Sequence, residues 1–175
     1  MCCASSGGAW RAASARRKPG PSLASGEPAV ELGQRPRILV AEDNLADVYL
    51  IRAALKEHGV DHPLQVVADG AEALRVLDER ERCAEAQLDL IILDLNLPRH
   101  DGIEILERLH SARKLRGAPV VVLTSSDSLD DRTAAKQLGA ARFLRKPSSL
   151  AEFLALGAVF KDLLSGGEAT PPQAA

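Results

Sequence analysis

Glu42-Asp43, Asp94, Thr124 and Lys146 are the residues of this 175-residue chain whose types could do chemistry together. Each follows a short strand-like run. Arg37-Ile-Leu-Val-Ala41 leads into Glu42-Asp43, and Leu90-Ile-Ile-Leu93 into Asp94. Val120-Val-Val-Leu123 leads into Thr124, and Arg142-Phe-Leu-Arg145 into Lys146-Pro147. In an open parallel α/β sheet, ligands gather outside the carboxyl ends of the strands. Parallel pairing of these runs would bring three carboxylates, a hydroxyl and an ammonium to one small pocket. Carboxylates 4 Å apart repel by roughly 4 kcal/mol per contact at an effective dielectric of about 20. Such a cluster either raises the pKa of one member or takes up a cation. Hard oxygen donors with room for water suit Mg²⁺, or Mn²⁺ in its place. An aspartate there can act as a nucleophile and form an acyl phosphate. The cation, the Lys146 ammonium and the Thr124 hydroxyl would each meet one phosphoryl oxygen.

Taken singly, each residue has a plainer reading. Glu42-Asp43-Asn44 suits a helix start, Asp94 a turn, Thr124 a strand-end hydroxyl and Lys146 a solvated charge. Their joint placement is what carries the expectation, and it depends on the elements that hold them. Strand and helix patterns alternate five times, the signature of βαβ units and a parallel sheet. Asn44 is placed to cap a first helix through Leu50, Ile51, Ala54 and Leu55, and Gly59 to stop it. Leu64 to Val67 form a second short strand, and Asp69-Gly-Ala-Glu72 has capping-box spacing before Leu74 and Leu77. A third helix after Pro98 carries Ile103, Ile105, Leu106 and Leu109. A fourth runs from about Leu129 to Leu138, and a fifth, capped by Ser148 or Ser149, runs to about Leu164. The expected fold is a flavodoxin-like (βα)5 doubly wound parallel sheet with strand order 2-1-3-4-5. In that order strand two lies at an edge, and it is the strand whose end carries no reactive set.

Composition bounds the rest. Apolar residues make up 46% of the chain and aromatic residues 3%, so the core must be aliphatic. Residues 1–36 hold five Lys/Arg and two Asp/Glu, which leaves the remainder mildly acidic and a poor nucleic-acid binder. Residues 1–35 read as a disordered arm or an overcalled translation start, 36–164 as the folded domain, and 165–175 as a disordered tail. Cys2, Cys3 and Cys83 form no metal-spaced set, and no run is long enough to span a membrane, so the cytoplasm is the expected compartment. Trp10 lies in the arm.

Several motifs resemble those of the receiver domain of two-component response regulators: Val40-Ala-Glu-Asp-Asn44, Leu93-Asp-Leu-Asn-Leu-Pro98 with Asp101-Gly102, Val122-Leu-Thr124 and Arg145-Lys-Pro147. Within that family, Glu-Asp-Asn-x-Ala-Asp, Leu-Asp-Leu-Asn-Leu-Pro and Leu-Thr-Ser-Ser-Asp are similar to stand-alone receivers paired with bacterial phytochrome-type histidine kinases. The resemblance implies a phosphoacceptor at Asp94 and a metal-binding pair at Glu42 and Asp43, with the Asn96 backbone carbonyl as a further ligand. It implies a phosphoryl-binding Lys146, a cis Lys146–Pro147 peptide, a switch hydroxyl at Thr124 and an aromatic switch position at Phe143. It departs from common family usage at Glu42, where many relatives carry Asp, and at Phe143, where Tyr is common. Such a protein is a signalling domain rather than an enzyme, at most catalysing its own phosphorylation and dephosphorylation.

The implied readout surface is helix four, strand five and helix five. Leu156, Val159 and Leu163 form a second apolar stripe on the last helix, which reads either as an exposed strip for a partner or a homodimer or as side chains wrapped against helix one or four. Two other readings stand beside this one. A phosphorylation-independent pseudo-receiver would serve as a scaffold, and it would not require all five site residues. An aspartate-nucleophile phosphatase would usually carry a second Asp where Asn96 stands.

Overall fold

The computed structural model describes residues 37–82, 87–112, 115 and 117–166, all within the unit Gly33–Ala175. The expected arm, Cys2, Cys3, Trp10 and Cys83 lie outside the described residues, as do residues 167–175 of the expected tail. Five strands alternate with five helices: β1 (Ile38–Ala41), α1 (Leu45–Glu57), β2 (Leu64–Val67), α2 (Gly70–Arg82), β3 (Leu90–Leu93), α3 (Gly102–Ser111), β4 (Val120–Thr124), α4 (Leu129–Gln137), β5 (Arg142–Arg145) and α5 (Leu150–Leu164). Every neighbouring pair is parallel, and the order is β2-β1-β3-β4-β5. This is the flavodoxin-like doubly wound sheet.

Successive strand side chains point to opposite faces, so each strand feeds two cores. Ile38, Val40, Leu90, Ile92, Val121 and Leu123 pack with Ile51, Ala54 and Leu55 of α1 and Phe153 and Phe160 of α5. Leu39, Ala41, Ile91, Leu93 and Val122 pack on the other face with α2, α3 and Ala135 of α4. Burial on both faces explains why the central strands read as unbroken apolar runs.

Local chemistry sets the helix starts at the carboxyl edge. Asn44 accepts from the Ala46 N–H at 3.0 Å, Asp101 from Ile103 at 2.6 Å, Ser128 from Asp131 at 3.2 Å and Ser149 from Glu152 at 3.3 Å. Each side chain satisfies a first-turn donor that has no partner inside the helix. Gly59 and Gly139 follow α1 and α4 with φ of 74° and 88°, a left-handed conformation that favours glycine. Helix four ends one residue before Leu138, which caps it.

The membrane expectation concerns helices only. No helix among the described residues is long and apolar enough to cross a bilayer.

Candidate functional site

The parallel ladder continues one residue beyond several strands and fixes the site backbones. The Glu42 N–H donates to Val67 of β2 at 3.0 Å, Asp94 to Ala41 of β1 at 3.0 Å, and Lys146 to Thr124 of β4 at 2.8 Å. Glu42 and Asp94 are 2% and 4% exposed, Thr124 is fully buried, and Asp43 is exposed at the mouth.

Their side chains converge. Lys146 Nζ lies 2.6 Å from Asp94 Oδ2, 2.8 Å from Glu42 Oε2 and 2.8 Å from Asp47 Oδ2. The second oxygen of Asp94 accepts the Asn96 N–H at 3.0 Å, and that of Glu42 accepts the Asn44 N–H at 3.1 Å. Thr124 Oγ1 accepts from Asn96 Nδ2 and from the Ser126 N–H, both at 3.2 Å. Phe143 is half-buried against the α2–α4 core, and the Arg132 guanidinium lies 5.2 Å from its ring centroid. Gly102 lets α3 start against the β3 end: a Cβ there would lie 2.6 Å from Leu95 Cα and 2.7 Å from Asp94 O.

Glu42, Asp43 and Asp94 offer one oxygen each within 4.8 Å of one another. Three hard donors, one of them open to water, fit Mg²⁺ or Mn²⁺ better than a thiol- or imidazole-selecting metal. Burial raises the Glu42 pKa above its ordinary 4.5; the Lys146 hydrogen bond and charge and the Asn44 N–H oppose this without cancelling it, and the Asp94 charge adds to the rise. For Lys146, burial by itself would lower the pKa. Hydrogen bonds to Asp47, Asp94 and Glu42 outweigh it, and the net shift is upward.

A stability prediction follows from the Glu42 shift. A carboxyl with a raised folded-state pKa opposes folding once it ionises, so its penalty is absent below pH 4.5 and grows as pH rises through the raised value. Glu42→Gln should therefore stabilise the cation-free protein at pH 7.5. The gain is read as a higher Tm for the variant than for wild type at that pH. The difference should vanish near pH 4, and an equal gap at both pH values would refute the cause.

Two expectations need correction. The Lys146–Pro147 peptide is trans, as are all peptides among the described residues. Trans is the lower-energy isomer of an X–Pro bond by about 0.5–1 kcal/mol, and Lys146 reaches its carboxylates in that form. The second α5 stripe is not an exposed strip. Leu163 is buried, and Leu156 and Val159 pack half-buried on the cluster that holds Ile51 and Leu55. The cause is the close pairing of α5 with α1, which widens the covered face of α5.

Two features went unread in the sequence. Asp47 reaches Lys146, although it carried no assigned role. Its signal is periodicity: it precedes Ile51 and Leu55 by four and eight residues, which puts a carboxylate on the inward stripe of α1, where it needs a partner. The other feature is a set of exposed apolar side chains in the opening turns of three helices: Leu45 (79%) and Tyr49 (71%) on α1, Leu129 on α4 and Leu150 on α5. These helices begin at the carboxyl edge of the sheet, the edge that carries the site.

A doubly wound sheet with an acidic trio, a lysine and a buried threonine at its switch point defines a receiver-type domain. The chain belongs to the response regulator receiver domain family, whose sequence model matches residues 38–156. It is therefore a domain of two-component signalling. It is 38% identical over 114 residues to the response regulator Rcp1 of Synechocystis sp., covering 65% of this chain and 78% of Rcp1. A crystal structure of the phosphorylated cyanobacterial phytochrome response regulator RcpA matches with a TM-score of 0.66 and 34% identity, over 80% of this chain and all of that one. The Mn²⁺-bound form of Rcp1 matches with a TM-score of 0.63 and 34% identity, over 73% of this chain and 93% of that one.

Proposed function

We propose that this chain is a phosphorylation switch in which Asp94 accepts a phosphoryl group from a histidine kinase, of phytochrome type by analogy with RcpA. The observation that carries this reading is a nearly buried Asp94 with Lys146 on one oxygen and two further carboxylates within 4.8 Å. An Asp94 oxygen attacks the phosphorus of the kinase phosphohistidine. The P–N bond breaks, its electron pair leaves on the imidazole, and Asp94 becomes an acyl phosphate. Lys146 holds one phosphoryl oxygen. Mg²⁺ or Mn²⁺, held by Glu42, Asp43 and Asp94 with the Asn96 carbonyl, would supply charge neutralisation for the transferring group. Water later hydrolyses the acyl phosphate and restores the carboxylate.

A phosphoryl oxygen near Asp94 would accept the Thr124 O–H, whose oxygen accepts from Asn96 Nδ2 and the Ser126 N–H, and so would draw that side chain toward Asp94. Thr124 and Phe143 share the sheet face that packs under α4, so their movement biases the α4–β5–α5 surface. Turning Phe143 inward forfeits its contact with Arg132, worth about 0.5–1 kcal/mol. A downstream protein or a second copy of the chain reads that surface, and the work is done in the cytoplasm. The kinase docks on the rim made by Leu45, Tyr49 and Leu150, because its phosphohistidine must reach a side chain at the bottom of that rim.

Incubation with labelled acetyl phosphate tests the reading. One phosphoryl group per chain is expected with Mg²⁺, and almost none after chelation with EDTA. Equal labelling with and without cation would end the proposal.

A further inference from the structure

Lys146 carries three ammonium protons, and three carboxylates meet them: Glu42, Asp94 and Asp47. Glu42 and Asp94 belong to the trio able to hold a cation, and Asp47 does not. We propose that Asp47 is a positioning residue, the anchor that keeps the Lys146 ammonium at the site when a divalent cation or a phosphoryl group occupies Glu42 and Asp94. The phosphoryl half of this inference rests on the reading of Asp94 above; the cation half does not.

The geometry favours an anchor over an ordinary first-turn acid. A first-turn carboxylate serves the helix dipole from an exposed position. Asp47 is only 18% exposed, and its Oδ2 lies 2.8 Å from a nitrogen 99 residues away in sequence. The Lys146 backbone is pinned by its N–H bond to Thr124, yet its side chain keeps four rotatable bonds. A cation at the trio would repel the ammonium and compete for two of its three acceptors. With Asp47 present, the ammonium keeps a partner beside the site and can present its freed protons to a phosphoryl oxygen. Without Asp47, its remaining partners are the carboxylates that a cation requires, so a cation can bind only by stripping the ammonium to solvent.

A double-mutant cycle on Mn²⁺ affinity of the full chain tests this, with Asp47→Asn, Lys146→Met, the double variant and wild type measured by titration calorimetry. Asp47→Asn should weaken Mn²⁺ binding about tenfold when Lys146 is present and less than about twofold in the Lys146→Met background. A tenfold loss in both backgrounds would mean that Asp47 acts through bulk charge, and no loss in either would make it a bystander; both overturn the proposal. A second measurement leaves Lys146 intact. With Mg²⁺ bound, the ¹⁵N-lysine ammonium signal should be protected from exchange in wild type and lost in Asp47→Asn; equal protection overturns the anchor. Acetyl phosphate labelling of the same proteins, with Asp94→Asn alongside, separates the two readings. Coupling in the Mn²⁺ cycle without any Asp94-dependent labelling would leave the anchor and remove the phosphoacceptor.

Discussion

Asp94→Asn is expected to abolish phosphoryl uptake while leaving the domain folded. An amide oxygen cannot form the acyl phosphate that a carboxylate forms, so labelling should fall below detection. Preservation of the fold is a matter of balance. At an effective dielectric of about 20, the Lys146 contact at 2.6 Å favours the Asp94 charge by about 6 kcal/mol. Repulsion from Glu42 and Asp43, within 4.8 Å, opposes it by about 3.5 kcal/mol each, before the penalty of burying the charge. Losing one of four carboxylates therefore removes about as much repulsion as attraction, and Lys146 keeps Glu42 and Asp47. Stability should change by less than about 2 kcal/mol. Labelling and thermal unfolding of the same preparation check both halves. Wild-type labelling in a folded Asp94→Asn protein would move the phosphoacceptor to another residue.

Gly157→Ala should give the largest loss of stability outside the site. Helix propensity alone forecasts a gain of about 1 kcal/mol, because alanine is the better helix former. Packing decides otherwise. A Cβ at Gly157 would lie 2.1 Å from the Ala54 carbonyl oxygen and 2.4 Å from His58 Nδ1. The first of these is helix backbone, which cannot swing aside. Overpacking of this kind costs about 1–3 kcal/mol, occasionally more. We expect about 3 kcal/mol and a Tm lower by roughly 6–12 °C. Because α1 carries Asp47, forcing α1 and α5 apart should also slow acetyl phosphate labelling. Gly117→Ala, where a Cβ meets nothing within 4 Å, is the control and should stay within about 1 kcal/mol of wild type. A Gly157→Ala protein as stable as wild type would mean that the two helices are less tightly apposed than their contacts imply.

The same α1–α5 contact decides between the two readings that the sequence left open for the last helix. Leu156, Val159 and Leu163 look like surplus hydrophobicity when α5 is drawn as a helix with one neighbour. Glycine at 157 brings α1 close enough to cover them, and no period within α5 reports that approach. Asp47 was hidden in a similar way. Its position on the inward stripe of α1 is local, but its partner lies 99 residues away and is reached only when β5 is added to the sheet.

What the chain determined unaided is the sheet and the meeting of its ends. Alternating apolar runs and periodic helices dictate a parallel sheet, and residues at equivalent strand ends must then share one edge. Period-two alternation goes further: Glu42 and Asp94 continue the α1–α5 parity of Val40 and Ile92, whereas Thr124 continues the α4-side parity of Val122. Only the tertiary structure decided which charges pair, that Lys146 takes three carboxylates at once, and which helix face is covered. Those outcomes depend on distances between segments far apart in sequence, set by how closely helices approach one another, and no local pattern encodes them.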